Sequence, residues 1–441
     1  MWAKGQLLLV NPWIYDFAAY NSWIEPLGML TIAAAVRGSG YGVTVIDCLA
    51  PHAGMPRPHA DGSGKLFKAV VEKPGVAALV PRRLGRYGLP VERFEAALAA
   101  APAPDLVLVA SGMTYWYPGV LEAIRRIRAR FGGVPVALGG VYATLCPDHA
   151  RQFSGADQVI AGPGVVAALR LADQVTGQDS NPDRLADPRS WPLPARDLVP
   201  RSYAAVLTSW GCPYRCTYCA SHRLQPAFVR REPEAVIEEI AACTLRGVLR
   251  FVFYDDALLI DAERHLAPIL EGVLARQLPV RFYPVNGLHA RGITAELAVL
   301  MRRAGFAQAC LSLETVSPAR QQATGAKVTT ADFEAAVQHL KAAGFRPADL
   351  RGYLLAALPG QPLAEIEDSL RFVLGLGMQA ELTLFSPIPG TPDGDRALPP
   401  GADPLLHNNT VYPYLLGADY VRELQRLKEM AKAGNQALMN Q

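Results

Sequence analysis

The feature that most constrains the fold is a repeated alternation of short apolar runs with helical stretches. Each run ends in Pro, Gly, Ser or another polar residue. "QLLLVNP" (6–12), "GVTVIDC" (42–48), "DLVLVAS" (105–111), "VPVALGG" (134–140) and "ADQVIAG" (156–162) are such runs. Helical patterns such as "GMLTIAAAVRGSGY" and "GVLEAIRRIRARF" lie between them. Continuous apolar strands alternating with helices make a parallel sheet covered on both faces, so the class is α/β, here a doubly wound sheet. Such a sheet binds ligands at the carboxyl ends of its strands. Those ends carry "NPWIYD", "SGMTYWYP" and "GGVYATLCP".

The rhythm breaks twice. Residues 51–90, rich in Pro, Gly and Arg, read as an insertion or lid within a first domain spanning 1–176. Residues 177–202 hold five prolines and read as a linker. The alternation then resumes through "AAVLTSW", "LRFVFYD", "VRFYPVN", "ACLSLET", "RGYLLAALP" and "ELTLFSP". About six strand-helix units are too few for a closed eight-fold barrel, so 203–392 reads as a partial (β/α)6 barrel. A tail, 393–441, contains one amphipathic helix from Ala418. A chain of 441 residues exceeds what one core usually serves, which agrees with two domains.

A net charge of +3 argues against a nucleic-acid partner or an anionic membrane surface. No apolar run is long enough to span a bilayer. The N-terminus runs directly into a strand pattern without a cleavage site, so a cytoplasmic protein is expected. Seven cysteines, an odd number in a long chain, are not a disulfide framework.

Three of those cysteines, Cys212, Cys216 and Cys219, fall within "SWGCPYRCTYCAS". Structural zinc usually takes four ligands, often from two separated pairs, and this triplet has no partner pair. An iron-sulfur cluster held by three thiolates keeps one iron open for a ligand. The triplet follows the first strand of the second alternation, at the end where barrel sites form. Gly211 and Pro213 bend the loop. A structural zinc site or a chance cluster is the alternative.

"GCPYRCTYC" resembles the C-x3-C-x-(aromatic)-C signature of the radical S-adenosylmethionine (SAM) superfamily, and the segment from Tyr203 to Pro392 resembles its partial barrel. The resemblance implies that Cys212, Cys216 and Cys219 hold a 4Fe-4S cluster. It implies that the fourth iron binds the amino and carboxyl groups of SAM, and that electron transfer yields a 5′-deoxyadenosyl radical. Tyr218 is then placed beside the adenine. Asp255 and Asp256 are candidates for the methionine amine, although the family's Gly-Gly-Glu is absent and a turn or helix cap explains them equally. Asn286 and Arg291 follow the third strand, and Glu314 ends the fourth as a ribose or methionine contact. Arg351 is a candidate for the SAM carboxylate, or a solvated edge arginine. "FSPIPGTP" resembles the segment lining the adenine pocket.

The first domain resembles the Rossmann-like cobalamin-binding domain that precedes many of these barrels, through "LLLVNP", "PVALGGVYATLCPD" and "ADQVIAGPG" among others. It departs from the pattern by lacking D-x-H-x-x-G and the terminal Gly-Glu-Gly-Glu. Cobalamin would then be bound without a histidine ligand from that loop, or the domain is cofactor-free. Gly139 and Gly140 would let backbone approach a large flat ligand. Trp13, Tyr15, Tyr115, Trp116, Tyr117 and Tyr142 would cover a corrin face or pack internally. His52, His59 and His149 read as solvated loop residues. The implied function is a cobalamin-dependent methyltransferase acting on an unactivated carbon of a small molecule. It would be served by an electron donor such as flavodoxin or ferredoxin. A cobalamin-free radical enzyme for rearrangement, cyclisation or oxidation is the second reading, and a non-catalytic iron-sulfur protein the third.

Overall fold

The computed structural model describes residues 4–439; Met1–Ala3 and Asn440–Gln441, at the ends of the expected first domain and tail, lie outside it. The chain forms two compact units. The first comprises Met1–Arg201, Arg223–Gln225 and Pro400–Asn408; the second comprises Ser202–His222, Pro226–Pro399 and Asn409–Gln441.

The first unit is built on a five-stranded sheet ordered Gln158–Val159, Val136–Leu138, Leu106–Val109, Gln6–Asn11 and Gly42–Asp47, parallel throughout. Leu7–Val10 and Leu106–Val109 are buried along their whole length, as strands covered on both faces must be. Leu7, Leu9, Leu106 and Leu108 pack against Met29, Ala33 and Val36 of helix Leu27–Gly38 and Val165 and Leu169 of helix Gly164–Thr176. Strand order reverses between Gln6–Asn11 and Leu106–Val109. This is the switch point beside which open α/β sheets take ligands.

Residues 51–90 are more ordered than a bare loop. Lys68–Val70, Gly85–Tyr87 and Ile14–Asp16 form a small antiparallel sheet. Ile14, Leu49, Leu66 and Tyr87 supply its own apolar cluster. The proline-rich stretch 177–202 is also not a free tether. Leu185 and Ala195 are buried in the first unit's core, and the Ala195 amide donates to Leu30 O at 3.0 Å. Pro400–Asn408 belongs to this unit rather than to one continuous tail. Asn408 Nδ2 donates to Asp16 at 3.0 Å and the Tyr117 hydroxyl donates to Asp403 at 3.2 Å. Polar bonds between residues almost three hundred or more positions apart leave no periodic trace in a sequence.

The second unit carries the six expected strands in order and in parallel, with a short additional strand, Leu288–His289, between the third and the fourth. Ala204–Val206, Arg250–Phe253 and Arg281–Pro284 form one sheet. Leu288–His289, Ala309–Glu314, Leu350–Ala356 and Gln379–Leu384 form the next. A parallel bridge between Phe282 and Phe306 joins them, and the rings of Phe253, Phe282 and Phe306 pack at 5.1 to 5.7 Å between centroids. The first and last strands do not pair, so the barrel is partial. Alternate residues Ala309, Leu311 and Leu313, like Leu350, Leu354 and Ala356, enter the core formed with the surrounding helices. That leaves Cys310, Ser312, Arg351 and Tyr353 on the lumen face. Helix Ala418–Met439 closes the outer edge. Asn435 pairs with both the amide and the carbonyl of Ala380 at 2.8 and 3.0 Å, satisfying an edge strand that would otherwise be open.

Asp47 ends its strand buried in the first unit. It accepts from Asn11 Nδ2 at 2.7 Å and Leu49 N at 2.8 Å, and it pairs with Arg201, the two side chains being 0% and 2% exposed. Breaking such a buried pair strands one charge. Asp47→Ala is expected to cost about 3–5 kcal/mol, read as a fall in the urea midpoint of the first unit's transition.

Candidate active site

The cysteine loop leaves strand Ala204–Val206 and is fixed at its root by one carboxylate. Asp255, 3% exposed, accepts from Thr208 N (3.1 Å), Thr208 Oγ1, Ser209 N and Ser209 Oγ (2.7 Å each). Burial pushes its carboxyl up, and these four donors pull it back. Gly211, at φ +78, then turns the chain into the triplet. Two other segments hold the loop. Gly325, at φ +117, has its Cβ position 3.3 Å from Cys216 Cα, so a side chain there would crowd the cysteine backbone. Thr217 N donates to Thr324 O at 3.3 Å, and Asp393 N donates to Thr217 O at 3.0 Å. Segments following the second, fourth and sixth long strands thus converge on the loop that follows the first.

All three thiols are free. Burial pushes Cys212 up to about 11. It raises Cys216 as well, while the Lys327 ammonium and the Tyr218 hydroxyl oppose that rise. Cys219 Sγ lies 3.2 Å from Ser221 Oγ and accepts from Ser221 N at 3.5 Å. Among the described residues, no three Cys, His, Asp or Glu side chains converge at the distance one ion requires. A 4Fe-4S cluster makes no such demand, because each thiolate binds a different iron. Three thiols with amide, hydroxyl and ammonium donors around them therefore fit a cluster better than a single zinc.

The other expected residues divide. Asp255 is the structural clamp just described. Asp256 is exposed at the rim and accepts from Ser221, next to Cys219. Asn286 is also exposed, and its amide donates to Tyr254 O and Asp255 O at 3.1 Å each. Glu314 sits at φ +67 just past a bulge in its strand, a strained position for a non-glycine, and pairs with Lys327 at 2.7 Å. Lys327 also stands 5.8 Å from the centre of the Tyr218 ring. Tyr218 packs against the cluster of Leu355, Ala357, Leu358, Phe385 and Tyr412. Arg291 turns instead to Asp332, at 3.1 Å. Arg351 lies at the amino end of strand Leu350–Ala356, paired at 3.9 Å with Glu381, whereas the cysteine loop is at the carboxyl rim. Two further residues belong to this group. Lys327 follows a short helix with no motif to mark it. His289 sits beyond the third strand, its ring edge-on to Tyr214 at 4.7 Å. Burial, with Lys327 adding, holds the His289 imidazole down at about 3, so it is neutral near pH 7.

In the first unit, a Cβ on Gly140, at φ +96, would lie 2.3 Å from Ser111 O. Its glycine is therefore required by neighbouring backbone, whatever a ligand demands. At Gly139 the nearest atom to a Cβ is Ile160 O at 3.9 Å, so that side is open. Trp13, Tyr115 and Tyr142 are buried and committed to packing. His149, expected to be solvated, instead bonds the Tyr142 hydroxyl at 2.6 Å, and its ring meets Tyr117.

Residues 206–373 match the Radical SAM superfamily. An uncharacterized methyltransferase of Pyrococcus horikoshii is 23% identical over 321 residues, 65% of this chain and 68% of that one. The hopanoid C-2 methylase of Rhodopseudomonas palustris is 28% identical over 207 residues, 43% of this chain and 38% of that one. Among solved structures, the radical SAM methyltransferase TsrM of Kitasatospora setae, with cobalamin and a 4Fe-4S cluster bound, aligns with a TM-score of 0.67 at 17% identity. That alignment covers 97% of this chain and 91% of TsrM. The cobalamin-dependent radical enzyme OxsB aligns with a TM-score of 0.59 at 15% identity, over 95% of this chain and 56% of its own. The second unit therefore carries a segment that matches the Radical SAM superfamily, and the chain shares its fold with TsrM and with part of OxsB.

Asp255→Asn replaces an acceptor of four hydrogen bonds with an amide that clashes with part of them. Iron and sulfide retained after anaerobic reconstitution are expected to fall by about half or more, since hydrogen bonds to a buried carboxylate are among the stronger ones.

Proposed function

We propose that the protein is a cobalamin-dependent radical SAM methyltransferase that methylates an unactivated carbon of a small metabolite. The observation that carries this reading is the succession of two architectures in one chain. An open sheet with a switch point precedes a partial barrel whose carboxyl rim bears three free cysteines. Relatives named methyltransferase, and the fold shared with TsrM, support it.

Cys212, Cys216 and Cys219 would hold the cluster, whose reduced form supplies the electron that splits SAM. Asp256, Asn286 and the Glu314–Lys327 pair are the polar groups of the rim available to SAM, and Tyr218 is positioned to face the adenine. Asp255 acts through the loop it clamps. Arg351 and Arg291 take no part. In the first unit, cobalamin would lie over the switch point with backbone approach at Gly139, supplying the methyl group, and no histidine would come from the loop after the first strand. A small-molecule substrate, a flavodoxin or ferredoxin as electron donor, and a cytoplasmic location complete the reading. Among the described residues, no helix is long and apolar enough to cross a membrane. A cobalamin-free enzyme is favoured by one observation: Gly140 owes its glycine to Ser111.

The test is anaerobic purification with cobalamin supplied, followed by metal analysis and assay of 5′-deoxyadenosine and S-adenosylhomocysteine. About four irons per chain with stoichiometric cobalt are expected. Four irons and 5′-deoxyadenosine without cobalt would leave a cobalamin-free radical enzyme. Zinc in place of iron would overturn both. Replacing Cys212, Cys216 and Cys219 together with alanine should abolish cluster absorbance and SAM cleavage.

A further inference from the structure

Three adjacent strands of the second unit present a polar row to the lumen. In the parallel register His289 lies opposite Ser312, and Ser312 lies opposite Tyr353, so the three side chains share one face. The neighbours of Ser312 along its strand, Leu311 and Leu313, point outward into the core. Gly287 keeps this row compact, because a Cβ there would lie 1.9 Å from Ser312 Oγ and 3.0 Å from the Tyr353 ring. Tyr353 has an acceptor, Val285 O, at 3.4 Å.

His289 differs from its neighbours. It is 7% exposed, and its Nδ1 is buried without a hydrogen-bond partner. Buried polar atoms are almost always paired, and an orphan calls for a group not yet accounted for. The surroundings restrict that group. One side of the imidazole meets Tyr214, between the first two cysteines of the triplet. Lys327, which pairs with Glu314 and stands over Tyr218, acts on the imidazole and on Cys216 and Cys219 alike. The orphan nitrogen is therefore in the neighbourhood of the thiols, where a ligand of the open iron must lie. A neutral imidazole beside an ammonium suits an uncharged hydrogen-bonding group, such as a hydroxyl or amine.

We propose that His289 is a positioning residue for SAM, its Nδ1 completing a hydrogen bond to an uncharged polar group of that ligand. This rests on the reading of the barrel as a SAM site. His289 orients the ligand against the cluster and takes no proton.

The test uses the full-length enzyme with its cluster reconstituted anaerobically, and SAM as the probe. Binding is followed by equilibrium dialysis and by the change SAM makes in the electron paramagnetic resonance of the reduced cluster. Asparagine places its amide where Nδ1 sits, glutamine where Nε2 sits, and phenylalanine fills the volume without a polar atom. Losing one hydrogen bond to a buried partner should raise the Kd for SAM about tenfold in His289→Phe and in His289→Gln. His289→Asn should stay within about threefold of the parent. Iron content and the resonance without SAM should be unchanged in all three. A His289→Phe enzyme that binds SAM as the parent does would overturn the inference, and so would an Asn variant as weak as the Phe variant. Should His289→Phe fail to fold, His289→Gln against His289→Asn carries the same comparison. A parent enzyme with a full cluster and no affinity for SAM would instead sink the SAM-site reading itself, and this inference with it.

Discussion

Parallel pairing sets the plan of the second unit. Because its barrel strands all run the same way, every connecting loop that follows one of them emerges on one rim. Groups far apart in sequence then meet there: Ser209 with Asp255, Cys216 with Gly325, and Thr217 with Asp393. The cysteine triplet has no rigid element of its own. It is held because the loops after three other strands reach it, and the buried carboxylate of Asp255 fixes the point at which it leaves the sheet. Four hydrogen bonds to one carboxylate make a root that side-chain packing alone could not specify, since apolar contact is non-directional.

The same constraint governs the first unit with a different outcome. Its sheet stays open, and the strand order places a gap at the switch point. Much of the polar chemistry near the strand ends is already satisfied internally. Asp47 is committed to Arg201, and Tyr142 to His149. Gly140 answers to Ser111. What stays open is backbone at Gly139 and the crest of the sheet. A large ligand would be held there chiefly by shape and apolar contact, in keeping with the missing histidine of the first loop.

Two of the strained backbone positions lie at the carboxyl rim of the second unit. Glu314 and Ala357, at the ends of adjacent strands, both adopt positive φ without being glycine. A bulge ahead of Glu314 re-aims its carboxylate toward Lys327, and that pair brings a cation to the thiols. Such backbone persists only when its surroundings over-determine it. Here the surroundings are a packed strand on one side and an ion pair on the other. The lumen beneath is polar, with His289, Ser312 and Tyr353 on one face, so it suits a ligand that presents hydrogen-bonding groups.

Periodicity and breakers made the strands legible. Runs such as "LVLV" and "ACLSLE" must be buried on one or both faces, and that requirement is local. The cysteine spacing was equally legible, because the triplet lies within a single loop. The candidate residues were less so. Glu314 and Asp256 lie on the rim as their strand-end positions implied. Arg351, also next to a strand end, lies at the wrong one, because a few residues of register decide which rim a side chain occupies. Asp255 clamps the root of the cysteine loop through partners nearly fifty residues away. Lys327 and His289 carry no motif; their meaning comes from what they face. The 51–90 sheet, the docked proline-rich segment and the return of Pro400–Asn408 were likewise decided by tertiary contact. Local pattern reports what a segment must bury, while hydrogen-bond partners and lumen neighbours are chosen only when the strands assemble.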